Sequence, residues 1–182
     1  QYLLPYQIQD EERRKWVDEK LNDILSLIDK IRENISSKIL LHNFEVPLHS
    51  PLGIFENKQK FGFAESVEVL NTRLRDAFKN DSQVFILDYN SFCSKIGKQN
   101  MIDYKMYYLG DIRINLQYIP QLCDEYLAYI NPLMSLAKKC IVLDLDNTLW
   151  GGIIGEDGLE GIKLGPTPDG MPFLQFQKYL LS

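Results

Sequence analysis

Residues 38–44 read Lys-Ile-Leu-Leu-His-Asn-Phe, a short apolar run that passes into a loop containing prolines and a glycine. Residues 83–87, Gln-Val-Phe-Ile-Leu, form a second run of the same kind, and Asp88 follows it directly. Short runs of apolar, β-branched and aromatic residues that end at turn residues are typical of buried strands. The sequence therefore predicts two strands, at residues 38–44 and 83–87.

Three helical patterns lie around these two runs. In residues 10–35 apolar side chains recur at steps of three and four, with charged side chains between them. A second helical face, in residues 67–78, lies between the two strands, and a third helix is predicted at about residues 117–137. The side chains predicted on the buried side of the third helix are Ile119, Leu122, Tyr126, Ile130, Leu133 and Met134. Strands that alternate with long helices predict an α/β fold with a parallel sheet flanked by helices.

The ends of the two strands carry polar residues. His42 and Asn43 end the first predicted strand, and Asp88 ends the second. Because ligands of parallel sheets bind beyond the carboxyl ends of the strands, these three residues are candidates for the rim of a site. The favoured interpretation of each is nevertheless a loop residue that caps a turn or a helix.

Composition argues against several classes of function. A net charge of −5 and a pI of about 5.1, without a clustered basic face, argue against a broad nucleic-acid surface. The longest apolar runs are far shorter than the roughly 20 residues that span a bilayer, and no secretory signal is predicted at the N-terminus. Three cysteines without C-x-x-C spacing are typical of reduced thiols, so we expect a cytoplasmic protein.

The most informative segment begins with Cys140-Ile141-Val142-Leu143, a run that predicts a third buried strand, and continues with Asp144-Leu145-Asp146. Two carboxylates this close repel each other, so a cation or hydrogen bonds must compensate. Mg²⁺, which prefers oxygen ligands, allows a carboxylate to approach an anionic phosphate. The pattern therefore predicts Asp144 as metal ligand and as the nucleophile that forms an aspartyl-phosphate. Asp146 is predicted to bind the metal through its backbone carbonyl and to act as general acid/base through its side chain.

The residues around the two carboxylates are expected to support them. The loop and the phosphate are predicted to be held by Leu145, Asn147 and Thr148. The groups that hold them are the Thr148 hydroxyl and the backbone N–H groups of the turn. Residues 151–165 predict a short hairpin flap with its turn at Glu156-Asp157-Gly158, and residues 169–182 predict a helix. A flap of this size leaves the site open, which favours a large or carrier-linked substrate.

The segment from Lys139 to Gly158, continuing to Gly165, resembles motif I and the following flap of haloacid dehalogenase (HAD) enzymes of subfamily IIIC. More narrowly, it resembles the FkbH-like proteins. The resemblance implies an SGNH-hydrolase-like α/β domain at residues 1–137, lacking its start, and the first part of a HAD-like phosphatase domain at residues 138–182. It also implies that Asp144 is the nucleophile and metal ligand, Asp146 the acid/base, and Thr148 the final polar position of the motif.

The resemblance further implies a function. It suggests Mg²⁺-dependent hydrolysis or transfer of a phosphoryl group, and more specifically dephosphorylation of a phosphorylated glycerate unit whose glyceryl group is loaded on an acyl carrier protein. The phosphate-binding Ser or Thr, the Lys and the further acidic pair of HAD enzymes have no counterpart in these residues, so we expect this segment alone to be inactive. An alternative of another class is a non-catalytic binding module that recruits a carrier or a biosynthetic partner.

Overall fold

The structure of the protein, a computed structural model, describes residues 4–136, 138 and 140–182. The chain divides into two compact units, Gln1–Leu136 and Ala137–Ser182. In chain order the first unit contains α1 (Leu4–Gln7), α2 (Asp10–Asn34), β1 (Ile39–His42), a 3-10 helix at Gly53–Lys58, α3 (Phe63–Phe78), β2 (Val84–Leu87), α4 (Tyr89–Ile96), a 3-10 helix at Lys98–Asn100, α5 (Tyr104–Gly110), a 3-10 helix at Leu116–Tyr118 and α6 (Ile119–Leu133).

The strands β1 and β2 form a small parallel sheet, in which Ile39 lies opposite Val84 and His42 lies opposite Leu87. Both strands lie where the sequence predicts them, and α3 makes the crossover that a parallel pair requires. A mostly helical α/β fold with a parallel sheet is therefore confirmed. Because the strands run in the same direction, the residues that follow His42 and Leu87 emerge at one edge of the sheet.

The core of the first unit forms where α2 and α3 meet the sheet. The predicted amphipathic helix at residues 10–35 is confirmed as α2, and its first turn carries three acids, which the positive end of a helix dipole favours. Leu74 of α3 is fully buried in this core, and burial of a Leu side chain contributes about 1.5–3 kcal/mol. The buried members of the cluster are Val17, Leu21, Ile28, Phe61, Leu70, Leu74, Phe78 and Val84.

The start of β2 is fixed by Asp81. One carboxylate oxygen of Asp81 accepts the backbone N–H groups of Gln83 at 2.8 Å and Val84 at 3.0 Å, while the other contacts the Arg32 guanidinium. These two backbone N–H donors, with Arg32, lower the pKa of Asp81 to about 2. The turn before β2 is therefore held by a carboxylate in its ionised form.

The third predicted helix is shorter and more exposed than the sequence suggests. It spans Ile119–Leu133 as α6, and Ser135 beyond it has a left-handed backbone with φ of 58°. The predicted end at residue 137 lies outside the described residues. Of the side predicted to be buried, only Leu122 is fully buried, in a second cluster with Phe92, Cys93 and Met101, whereas Met134 is 65% exposed. Tyr126 is partly buried against the same cluster, and Leu133 is also partly buried. The predicted burial of Ile119, Ile130 and Met134 is wrong, because no buried cluster in the described part of the first unit covers them.

The second unit contains α7 (Ile154–Gly161) and α8 (Met171–Leu181), and α8 confirms the helix predicted in residues 169–182. The predicted buried strand at residues 140–143 is wrong. These residues form no regular secondary structure, and Ile141 and Val142 are 67% and 91% exposed. A parallel strand needs a neighbour for its backbone hydrogen bonds, and the described residues of the second unit offer none.

The hairpin flap predicted at residues 151–165 is also wrong in its middle. Its two ends do pair, since Gly151 and Lys163 form an isolated antiparallel bridge. The residues between them form the helix α7 instead of two strands, with a kink at Gly158, where φ is 65°.

Among the described helices, none combines the length and the apolar character that crossing a bilayer demands.

Candidate functional site

The two predicted catalytic acids lie on a tight loop that precedes α7. Asp144 is exposed, and its Oδ1 accepts the backbone N–H of Leu145 at 2.8 Å. The carbonyl of Leu145 accepts the N–H groups of Thr148 at 3.2 Å and Leu149 at 2.9 Å, so the chain turns immediately after Asp144. Within the described residues, no side chain donates a hydrogen bond to Asp144, so this carboxylate is open to an approaching ligand.

Asp146 has a different environment from Asp144. It is half-buried, and its Oδ1 accepts the indole Nε1–H of Trp150 at 3.0 Å and the backbone N–H of Ile154 at 3.3 Å. Two donors, one indole and one backbone N–H group, therefore orient this side chain. A carboxylate held by two donors on one oxygen leaves its other oxygen available for proton transfer.

Asn147 and Leu145 both make hydrogen bonds within the loop. Asn147 has a left-handed backbone with φ of 55°, a conformation that Asn tolerates better than most residues, and its Oδ1 accepts the N–H of Gly152 at 2.9 Å. Leu145 contributes its carbonyl to the turn. Thr148 contributes its backbone N–H, whereas its hydroxyl, which the sequence assigns to the loop, makes no hydrogen bond within the described residues.

Two glycines allow the loop to pack against α7 and α8. A Cβ at Gly151 would lie 2.8 Å from a ring carbon of Phe173. Gly152 has φ of +99°, and a Cβ there would lie 2.8 Å from Oδ2 of Asp157, the oxygen that accepts the N–H of Ile153. Only glycine fits either position without displacing a neighbour.

The chemistry of Asp144 and Asp146 can be compared with what Mg²⁺ requires. Both side chains offer only oxygen donors, and Mg²⁺ is usually held by one or two carboxylates together with waters and substrate phosphates. Among the described residues, no cluster of three or more His, Cys, Asp or Glu side chains could hold a metal ion. The donor type of the loop thus fits Mg²⁺, in the arrangement where the protein supplies only part of the coordination.

The three rim candidates of the first unit gather at the carboxyl edge of the sheet. Asn43 is 5% exposed, and its Nδ2–H donates to Oδ1 of Asp88 at 2.8 Å, while its own Oδ1 accepts the backbone N–H of Asn90 at 3.0 Å. Asp88 also begins α4, where it accepts the N–H and the hydroxyl of Ser91. The interpretation of Asp88 as a helix cap is therefore confirmed, and the cap is joined to β1 through Asn43.

Burial acts differently on the titratable groups at this edge. Burial alone would raise the pKa of Asp88. The hydrogen bonds from Ser91 and Asn43 have the opposite effect and outweigh burial, so the pKa of Asp88 lies below its ordinary value. Burial lowers the pKa of His42, whose ring stacks between Tyr89 and Tyr126 at centroid distances of 5.2 and 5.4 Å. His42 therefore packs as an aromatic ring against two tyrosines.

Comparison with known proteins adds a family to this geometry. A family model described as "FkbH, N-terminal domain" matches residues 4–131. The chain belongs to this family. The FkbH N-terminal domain thus includes the sheet and its polar edge, while Asp144 and Asp146 lie beyond the matched residues. No curated protein matches the chain.

A solved structure matches the FkbH N-terminal domain and the residues that follow it. It is a crystal structure of the N-terminal part of a Bacteroides fragilis protein containing a phosphatase domain, complexed with Mg. Its TM-score is 0.81 and its sequence identity 25%, and the match covers 97% of this chain and 46% of that one. The chain therefore spans about half of the solved protein that it resembles.

Sequence reasoning missed several residues that shape these sites. Trp150 stands four residues after Asp146, and its indole N–H, which can only donate, donates to the Asp146 carboxylate. Gln177 of α8 donates its Nε2–H to the carbonyl of Leu149 at 2.7 Å, a contact across 28 residues that no local pattern reveals. Asn90 joins the edge of the sheet because it lies in the first turn of α4.

Proposed function

We propose that the protein containing this chain carries out Mg²⁺-dependent hydrolysis or transfer of a phosphoryl group through an aspartyl-phosphate on Asp144. The observation that carries the proposal is the loop itself, in which Asp144 is open and Asp146 is oriented by Trp150 four residues later. The similarity to a protein with a phosphatase domain complexed with Mg supports it.

The proposed reaction has two steps. The Asp144 carboxylate attacks phosphorus, the bond from phosphorus to the leaving oxygen breaks, and Asp146 gives its proton to that oxygen. Asp146 then takes a proton from water or an acceptor hydroxyl, whose oxygen attacks the phosphorus of the acyl-phosphate and restores the Asp144 carboxylate. Bound Mg²⁺ would supply charge neutralisation between Asp144 and the phosphate.

Finer assignments are part of the same proposal. We propose that residues 138–182 begin a domain of the HAD type, subfamily IIIC, and that the preceding domain is of the SGNH-like kind. A phosphorylated glycerate unit is the proposed substrate, and an acyl carrier protein the proposed acceptor of its glyceryl group. Membership of the FkbH N-terminal domain family supports this choice, and the cysteine pattern supports a cytoplasmic location.

The test of the reaction uses the full-length protein with an aryl phosphate and Mg²⁺. We expect the wild type to release inorganic phosphate. For Asp144→Asn we expect kcat to fall at least about a thousandfold, because the variant lacks the carboxylate that attacks phosphorus. Asp169→Asn is the matched control, because Asp169 is exposed in the same unit and, among the described residues, its carboxylate pairs only with Lys163, at 3.8 Å. Full activity of a folded Asp144→Asn variant would refute the assignment.

A second candidate function belongs to the first unit, as a binding module for a carrier or biosynthetic partner. The helix α5 presents Tyr104, Tyr108 and Leu109, which are 62%, 78% and 74% exposed, and exposed aromatic groups are enriched where proteins bind partners. Tyr108→Ser should weaken binding of an acyl carrier protein in a titration and leave phosphate release unchanged. Equal binding by the variant and the wild type would remove this candidate.

A further inference from the structure

A cavity of about 300 Å³ lies in the first unit, where β1 and β2 end and α3 passes beside them. Asn43 follows β1, Asp88 and Asn90 follow β2, Asn71 and Arg75 come from α3, and Lys98 completes the wall. We call this cavity the strand-edge pocket. Its volume is at the small end of the range for ligand sites, and its position is the one where ligands of parallel sheets bind.

The walls of the strand-edge pocket are held by hydrogen bonds between distant parts of the chain. Asn71 accepts the backbone N–H of Phe44 at 2.8 Å and donates to its carbonyl at 2.7 Å. Lys98 donates to Oδ1 of Asn90 at 2.8 Å and to the carbonyl of Val46 at 2.6 Å. Together with the Asn43–Asp88 contact, these bonds fix the asparagine, Asp88 and Lys98 side chains of the lining before any ligand arrives.

Apart from the acceptors of the Glu68 carboxylate, the hydrogen-bonding capacity that remains free in the pocket is that of donors. The side-chain oxygens of Asn43, Asn71 and Asn90 each already accept a backbone N–H. The Nδ2–H₂ group of Asn90 and one of the three ammonium protons of Lys98 make no hydrogen bond within the described residues. A ligand that meets this surface must therefore bring acceptors.

Charge points to the same class of ligand. The exposed guanidinium of Arg75 makes no hydrogen bond or ion pair within the described residues, and five N–H donors in a planar fork match a carboxylate or a phosphate. Asp88 is bonded to Asn43 and Ser91, and it also attracts Arg75, whose charge contributes to the lowered pKa of Asp88. Glu68, also on α3 at the pocket wall, is the acid that opposes an anion here.

We propose that the strand-edge pocket binds a small oxyanion, the carboxylate or phosphate group of a small polar molecule, with Arg75 as the principal ligand and Asn90 and Lys98 as further donors. This site is separate from Asp144 and Asp146 in the chain and does not depend on the proposed phosphoryl transfer. Asn90 and Lys98 are held in place by hydrogen bonds and Arg75 adds an exposed guanidinium, whereas Glu68 limits how much negative charge the pocket accepts.

The experiment titrates the full-length protein, without Mg²⁺ and with EDTA, with inorganic phosphate, with acetate and with chloride at matched ionic strength. Amide spectra report the Nδ2–H₂ signals of Asn90, with those of the exposed Asn80 as internal control. We expect saturable shifts of the Asn90 signals with phosphate, with acetate or with both, and none with chloride. The more effective anion identifies which oxyanion group the pocket prefers.

Variants on one helix make the test specific. Arg75→Gln should weaken binding about tenfold or more, as expected for loss of one charge-assisted contact, and Glu68→Gln should strengthen it severalfold. Arg73→Gln is the matched control, because Arg73 lies on the same helix but pairs with Asp18. The proposal would be overturned if neither phosphate nor acetate bound saturably. It would also be overturned if Arg75→Gln and Arg73→Gln weakened binding equally, because that result indicates unspecific attraction of anions to positive charge.

Discussion

Replacement of Asn43 by Ala tests how the edge of the sheet is held together. The substitution removes one hydrogen bond to the Asp88 carboxylate and one from the backbone N–H of Asn90, both in a side chain that is 5% exposed. A bond to a charged group contributes about 1.5–3 kcal/mol and a neutral one about 0.5–1.5 kcal/mol. We therefore expect Asn43→Ala to lower the free energy of unfolding by about 2–4 kcal/mol.

The assay for this prediction is urea unfolding followed by tryptophan fluorescence. The protein contains two Trp residues, Trp16 on α2 of the first unit and Trp150 in the second. In a Trp150→Phe background the signal reports the first unit alone, and the midpoint should fall while the denaturant slope stays unchanged. The matched control is Asn80→Ala, because Asn80 is exposed and should change the free energy of unfolding by less than about 0.5 kcal/mol.

A double-mutant cycle separates the two bonds of Asn43. In an Asp88→Ala background the bond to the carboxylate is already lost, so Asn43→Ala should cost about 1–3 kcal/mol less than in the wild type. A cost below about 1 kcal/mol for the single variant would refute the reasoning, because a buried amide with two partners cannot be removed so cheaply. Strict additivity of the two variants would show that the Asn43–Asp88 contact contributes nothing.

Three further predictions concern other parts of the chain. Trp150→Phe should lower kcat for phosphate release about tenfold without unfolding the protein, since the indole donor that orients Asp146 is worth about one hydrogen bond. Asp81→Asn should destabilise the first unit at pH 6, and the difference from the wild type in urea unfolding should shrink towards pH 3, because the lowered pKa makes the carboxylate contribution disappear as pH falls from about 4 to about 2. Gly152→Ala should destabilise the second unit by about 1–3 kcal/mol, measured by Trp150 fluorescence in a Trp16→Phe background, because φ is +99° there.

Each of these three has a result that would contradict it. Wild-type kcat in Trp150→Phe would show that the indole does not orient the acid. A pH-independent difference for Asp81→Asn would assign its effect to packing and not to charge. For Gly152→Ala the matched control is Gly155→Ala, where nothing lies within 4 Å of the new Cβ, and equal effects of the two glycine variants would exclude backbone strain as the cause.

The elements of the first unit were predictable where a local pattern is sufficient. The three- and four-residue steps that place Leu21 and Ile28 of α2 in the core can be recognised in the sequence, as can the apolar run of β1. The positions of Asn43 and Asp88 at one edge follow from the direction of two parallel strands. Lys98 and Asn71 could not be placed there, because they reach the edge through contacts that the fold alone brings together.

The second unit shows where local patterns fail. The run at residues 140–143 has strand propensity, but a strand exists only with a hydrogen-bonded neighbour, and the described residues around it supply none. In the predicted flap, Oδ2 of Asp157 accepts the N–H of Ile153, the residue before α7. A backbone donor at the start of a helix is thereby satisfied where a turn signal suggests a hairpin. The roles of Asp144 and Asp146 stay predictions, although the structure shows how the loop holds them.

The exposed β-branched side chains at Ile141 and Val142 also bear on how the protein behaves at high concentration. A run with free backbone donors and acceptors and an apolar surface is a template for cross-strand pairing between copies, which is the chemistry of aggregation. A charged residue in such a run acts as a gatekeeper. The segment that leads to the two carboxylates is therefore also a segment at which copies of the chain can pair.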